Sequence, residues 1–101
     1  WVKNQPTFSL GRLDYEYQHE PILFTWVKTH KRRKNGQWQS STWFCDKPRA
    51  NADHPTVKPV ELYENGILNH TDPDDIVLDI FAGSGTSLVA SERRGRSARA
   101  V

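Results

Sequence analysis

The chain of 101 residues contains no methionine and one cysteine, Cys45. A lone thiol excludes an intrachain disulfide and fits a reducing cytosol. No apolar run approaches the roughly 18 to 20 residues that a membrane span needs. No signal-peptide pattern opens the chain, which starts on Trp1. A start on tryptophan without any Met leads to the expectation that this is an internal or terminal piece of a longer protein. His19, His30, His54, His70 and Cys45 do not show zinc-ligand spacing, so no metal is assigned. What is present is an ordinary soluble composition, 36% hydrophobic and 26% charged. A chain of this length makes one small domain, or a piece of a larger one, and buries roughly two thirds of its unfolded surface.

The net charge of +2 is unevenly placed. Residues 1–58 carry ten Lys/Arg against five Asp/Glu, whereas residues 59–101 carry four against seven. A basic first half and an acidic second half suggest different partners. The densest basic run is Lys28, His30, Lys31, Arg32, Arg33 and Lys34, and it leads into Asn35-Gly36, a strong turn signal. As structure it is a solvated hairpin tip; as function it contacts phosphates.

Asn4–Glu20 reads as a long polar and aromatic loop. The β-branched and aromatic segment Ile22–Val27 reads as a strand, and Trp38–Cys45 as a second one. Trp38, Trp43 and Phe44 are expected in a core rather than stacked on a base, and Cys45 as a small buried hydrophobe. Further on, Pro59 suits helix entry, and Val60, Tyr63, Ile67 and Leu68 share one face at helical spacing. Gly66 inside that helix costs about 1 kcal/mol relative to alanine. TDPDD (71–75) reads as a turn. IVLDIF (76–81) is apolar on both faces, the pattern of a buried parallel strand. Thr86–Arg94 reads as a helix that Gly95 ends in the left-handed conformation, and SARAV (97–101) as the start of a strand. Helix, strand, glycine turn, helix and strand make a doubly wound α/β unit.

The turn itself lies in LDIFAGSGTSLV (78–89). Gly83 and Gly85 can take positive φ and leave no Cβ in the way of a ligand. The helix that follows offers free N–H groups and a partial positive charge. A triphosphate loop is excluded, because no lysine follows Gly85. A nicotinamide fingerprint is incomplete, because Leu88 stands at its third glycine. A purely structural turn accounts for the glycines equally well. Asp79 adds weight to a ligand, since a carboxylate inside a strand needs a partner. It either caps backbone N–H groups or faces a cationic ligand group. A ligand with both ammonium and carboxylate, such as the amino-acid end of S-adenosylmethionine, would use Asp79 and the helix end together.

HPTVKP (54–59), followed about 20 residues later by the glycine turn, resembles the beta-class amino DNA methyltransferases. The motifs stand in the circularly permuted order of that class. GRLDYEYQHEPILFTWVK (11–28) resembles the stretch that precedes the cofactor half in many phage-associated members, so the resemblance covers nearly the whole chain. It implies a partial Rossmann-like, S-adenosylmethionine-dependent methyltransferase fold of the α/β class, mostly parallel with one antiparallel strand. HEPILF would be that strand, paired with Trp1–Lys3, which revises a pairing of Ile22–Val27 with Trp38–Cys45 alone. Residues 1–53 would end the catalytic half, and residues 54–101 would form the cofactor unit of the same domain.

Carried over by residue, Asp79, Phe81, Ala82, Gly83, Ser84, Gly85 and Thr86 would line the S-adenosylmethionine pocket. His54, Pro55, Thr56 and Lys58 would close its methionine end, with Lys58 touching the cofactor carboxylate or capping a carbonyl. The implied partner is double-stranded DNA with a flipped target base, adenine by resemblance; a homodimer is compatible with it. His19 and Glu20 are expected in structural hydrogen bonds rather than as an acid–base pair. The catalytic tetrapeptide of the class, an Asp, Asn or Ser before Pro-Pro-aromatic, is absent, and Asp72-Pro73-Asp74-Asp75 does not replace it. No catalytic residue is therefore assigned. In the class that tetrapeptide precedes everything seen here, and the acidic clamp on the ribose would fall just past Val101. Two rivals stay open: a non-catalytic DNA- or cofactor-binding remnant, such as a decayed prophage methylase, and a nicotinamide enzyme fragment.

Overall fold

A computed structural model describes residues 1–4, 14–15, 17–29, 39–48 and 57–101. Among them are four strands and two helices: β1 (Val2–Lys3), β2 (Phe44–Cys45), α1 (Val60–His70), β3 (Ile76–Asp79), α2 (Thr86–Arg93) and β4 (Ser97–Ala100). Both strand pairs, β1 with β2 and β3 with β4, are parallel. No helix among the described residues is long and apolar enough to cross a membrane.

The expected antiparallel partner of the first strand is present but narrower than HEPILF. His19 makes an antiparallel bridge to Val2. The Lys3 N–H donates to Gln18 O at 2.9 Å, and Glu20 N–H to Trp1 O at 2.8 Å. Pro21 has no N–H to continue such a ladder, and Ile22–Val27 follows as exposed, non-strand chain. The expected strand Trp38–Cys45 is likewise shorter. Only Phe44–Cys45 pairs, in parallel with β1, after Thr42 N–H turns back to Ser40 Oγ at 3.0 Å. Trp38 lies outside the described residues. Phe44 is exposed rather than in a core, whereas Trp43 and Cys45 are half-buried. Among the described residues of this half the buried aromatic is Trp1, whose indole N–H donates to Cys45 O at 3.0 Å.

The second half follows its sequence pattern closely. Pro59 sits fully buried at the N-cap of α1 with φ −64° and ψ 141°, one position before the helix it prepares. Thr71 ends α1 by donating both its N–H, at 2.9 Å, and its hydroxyl, at 2.7 Å, to Ile67 O. The turn 72–75 closes through Asp75 N–H to Asp72 O at 3.1 Å. At the far end of α2, Gly95 adopts φ 67°. Its N–H donates to Glu92 O and the Arg96 N–H to Ser91 O, the paired bonds of a Schellman stop.

α1 and α2 pack through small groups: Ser87, Ala90 and Ser91 are buried against the α1 side that holds Glu64 and Ile67. Two arginines staple the pair. Arg94 donates to the buried Glu64 carboxylate at 2.7 Å, and Arg96 donates to Thr71 Oγ1 at 2.9 Å and Thr71 O at 2.8 Å. The helices leave one sheet face open. Val77 and Asp79 are half-buried, whereas Ile76 and Leu78 are each 66% exposed. IVLDIF is therefore not buried on both faces among the described residues, because only one face carries helices.

Gly66 occupies an ordinary helical position with open space where a Cβ would be. Replacing it with alanine removes backbone freedom from the unfolded chain at no steric cost. Gly66→Ala is expected to raise stability by about 0.5–1 kcal/mol, read as a higher urea midpoint.

Candidate functional site

β3 delivers Asp79 to the edge of the glycine turn. Its Oδ1 accepts the Phe81 N–H at 2.9 Å, which bends the chain away from the strand. One carboxylate oxygen thus does what the sequence left as an option, capping backbone. The other, Oδ2, accepts no hydrogen bond among the described residues. β4 holds the turn from the side: Val101 N–H donates to Asp79 O at 3.0 Å, and Ala82 N–H to Val101 O at 3.2 Å.

Gly83 has φ 51° and Gly85 φ 78°, both left-handed. Gly85 is the N-cap of α2, and its N–H closes the turn on Ala82 O at 2.8 Å. A Cβ at Gly83 would meet nothing nearer than Phe81 O at 3.9 Å, an ordinary van der Waals contact. The N–H groups of Gly83, Ser84, Thr86 and Ser87 reach no acceptor among the described residues. Ser84 Oγ and Thr86 Oγ1 share a hydrogen bond of 3.1 Å. The Ser87 hydroxyl is buried without a partner. Phe81 stands at the rim, 87% exposed. Asp79, Phe81, Ala82, Gly83, Ser84, Gly85 and Thr86 are therefore gathered in one turn that leaves several N–H donors and one carboxylate oxygen without partners among the described residues.

Two residues outside the glycine motif bear on this region. Tyr63, one turn into α1, is half-buried. Burial, and then the negative charge of Asp79, push its phenol above the ordinary value, so it stays a neutral donor. Sequence periodicity marks Tyr63 only as a helix-face residue; nothing in the sequence indicates that it feels the charge of Asp79. Trp1 is the second. It anchors an ionic cluster in which Lys3 and Lys58 each stand 5.4 Å from the centre of its ring. Glu20 bridges the two, taking Lys3 Nζ at 2.9 Å and pairing with Lys58 Nζ.

Lys58 thus engages a carboxylate of the protein rather than a carbonyl. It lines an open cleft of about 1040 Å³ between the first half and α1, whose wall includes Trp1, Glu20, Phe24, Tyr63 and His70. The Phe24 and His70 rings stack there at 4.5 Å. His54, Pro55 and Thr56 lie outside the described residues. So do His30, Lys31, Arg32, Arg33 and Lys34. Lys28 is exposed and takes a left-handed φ of 66°. No group of three or more His, Cys, Asp or Glu that would hold a metal occurs among the described residues. Burial, with the charge of Glu61 next, pushes the Cys45 thiol up, which makes it a poor thiolate nucleophile.

A parallel strand pair joined by a left-handed glycine turn to a helix N-terminus is the frame of an α/β ligand-binding protein. A DNA methylase family model matches residues 1–98, and the chain belongs to that family. It is 29% identical over 111 residues to the type II methyltransferase M2.LlaDCHI of Lactococcus lactis subsp. cremoris, an alignment covering 95% of this chain and 41% of that protein. It is 30% identical over 111 residues to the type II methyltransferase M2.DpnII of Streptococcus pneumoniae, covering 95% and 41%. It is 34% identical over 98 residues to the type II methyltransferase M.Cfr9I of Citrobacter freundii, covering 94% and 32%. The chain thus spans about two fifths or less of the length of these relatives. No solved structure matches it.

The Glu20 cluster has a pH signature. Burial raises the Glu20 carboxyl, but the hydrogen bonds and charges of Lys58 and Lys3 outweigh it and hold the group below its ordinary 4.5. A depressed folded value stabilises the fold above the unfolded value, and the gain is lost as pH falls through the folded one. Glu20→Gln is expected to lower stability by about 0.5–1 kcal/mol at pH 7, the pair being partly exposed. In urea titrations that difference should shrink as the pH falls below 4.5.

Proposed function

We propose that the chain is the cofactor-binding part of a DNA methyltransferase. The enzyme would transfer a methyl group from S-adenosylmethionine to an exocyclic amino group of a DNA base, adenine by resemblance, on a Rossmann-like framework. We further propose that it is cytoplasmic, bacterial or phage-encoded; the relatives named above are bacterial. The observation that carries the reading is the turn 79–87. Among the described residues, four backbone N–H groups of this turn have no acceptor and one oxygen of the Asp79 carboxylate has no donor, and a Cβ at Gly83 would meet nothing nearer than 3.9 Å.

These residues fit the amino-acid end of that cofactor. A carboxylate suits the N–H groups of Gly83, Ser84, Thr86 and Ser87 at the positive end of α2. An ammonium suits Asp79 Oδ2. When bound, the cofactor supplies a methyl group on a sulfonium, activated for displacement. The residues of this chain would bind and orient; none of them would make or break a bond. Fixing the donor in place supplies a large share of such a rate gain. His54, Pro55, Thr56 and Lys58 are proposed to cover its methionine end, with Lys58 exchanging or sharing its Glu20 partner. An amine inside a duplex is out of reach, so the target base would be flipped out. Lys28, His30, Lys31, Arg32, Arg33 and Lys34 are proposed to hold DNA phosphates, which fix register without reading sequence.

Asp79→Asn keeps the acceptor for the Phe81 N–H and removes the charge. In calorimetric titration of the full chain, S-adenosylhomocysteine affinity is expected to fall about tenfold or more, as for loss of a charge-assisted hydrogen bond. Unchanged affinity would place the ligand elsewhere. For DNA, replacing Lys31, Arg32, Arg33 and Lys34 with glutamine should weaken binding to all sequences alike. It should also flatten the salt dependence by a log–log slope of about 0.9 for each phosphate that is no longer neutralised. A weakening confined to one recognition sequence would contradict the phosphate role.

A further inference from the structure

Within HPTVKP, Lys58 has an ammonium group with a fixed set of neighbours. Glu20 Oε2 holds its Nζ, which stands 5.4 Å from the centre of the Trp1 ring. One position later the chain enters α1 at the fully buried Pro59. Glu20 is itself held from the other side. Its Oε1 takes Lys3 Nζ at 2.9 Å, and its N–H donates to Trp1 O at 2.8 Å. The two lysines differ in exposure: the Lys3 side chain is 10% exposed and the Lys58 side chain 38%. Lys3 therefore anchors the carboxylate to β1, and Lys58 is the cation that a ligand can reach. The bridge joins positions 38 apart, from the segment that pairs with β1 at His19 to HPTVKP. A lysine free at that place would sample many rotamers, and this pair confines it.

We propose that Glu20 is a positioning residue for cofactor binding, acting through Lys58 and touching no ligand itself. The inference rests on the cofactor reading above, which puts Lys58 at the methionine end. Lys3 and the Trp1 backbone fix Glu20, Glu20 fixes the Lys58 ammonium, and Lys58 leads directly into the Pro59 entry of α1. The long side chain is thus ordered before the donor arrives, and a site ordered in advance binds more tightly than one ordered on binding. An ammonium group has three donors, so a ligand carboxylate shares the cation without displacing Glu20.

The test is a double-mutant cycle in the full chain, with Glu20→Gln, Lys58→Met and both together, titrated with two probes. S-adenosylhomocysteine carries the amino-acid end; methylthioadenosine lacks it. Glu20→Gln is expected to lower affinity for the first about threefold to tenfold, the cost of ordering one long side chain on binding, and to leave affinity for the second the same. With Lys58→Met already present, Glu20→Gln is expected to cause no further loss, because the two residues act as one unit. Urea unfolding of each variant checks that it is folded. Equal reductions for both probes, or losses that add, would make Glu20 a structural residue and overturn the inference. A rise in affinity for S-adenosylhomocysteine would make Glu20 a competitor for Lys58 and also overturn it. No change in Glu20→Gln, with Asp79→Asn still impaired, would overturn it and leave the cofactor reading standing. Failure of the unsubstituted chain to bind S-adenosylhomocysteine would overturn both.

Discussion

Two left-handed residues, Gly83 and Gly85, decide what the end of β3 offers to its surroundings. A side chain in that conformation costs about 1–2 kcal/mol, so glycine is the residue that lets the chain turn this tightly. The turn aims successive N–H groups outward instead of into a ladder, and α2 adds the positive end of its dipole to the same spot. The rest of the second half holds this geometry in place. β4 pins the strand end through Val101 and Ala82. The Schellman stop at Gly95 returns the chain to β4 in register. The arginine staples to Glu64 and Thr71 fix α1 against α2.

The first half is organised around a different interaction. Trp1 is a buried ring with two lysines each 5.4 Å from its centre, and Glu20 neutralises both. This cluster ties β1 to the residue just before Pro59, so it sets the entry of α1 relative to the small β1–β2 sheet. A pair exposed by about a third contributes little alone. Shared between two cations over an aromatic face, the carboxylate contributes orientation more than stability. Lys58 is one physical link between the two halves, with the Phe24–His70 stack another, and it is also a member of the HPTVKP motif.

The second half was legible because its signals are local. Pro59 before α1, Gly85 and Gly95 around α2, and the TDPDD turn each act through the backbone of their own neighbourhood. The chain has no freedom to override them. The first half misled where the outcome depends on distant partners. Ile22–Val27 has strand composition, but Pro21 interrupts the ladder that His19 and Glu20 begin. β-propensity reports a fit to a half-buried pleated surface, and these residues have no such surface among the described residues. At the site, the glycine turn was readable from spacing, and so was the backbone-capping option for Asp79. The placement of α1 was not, because it arises from packing on α2 and no motif encodes it. The partner of Lys58 was missed for the same reason, since Glu20 lies 38 positions away.

The central claim is that the bare backbone of residues 83–87 receives an anionic group of the methyl donor. Backbone amide resonances of the full chain, followed by nuclear magnetic resonance during titration with S-adenosylhomocysteine, test it at the atoms concerned. The largest shifts, in the direction of new hydrogen bonding, are expected at the amides of Gly83, Ser84, Thr86 and Ser87. Shifts centred instead on the Trp1 and His70 cleft, with those four amides unmoved, would contradict the account.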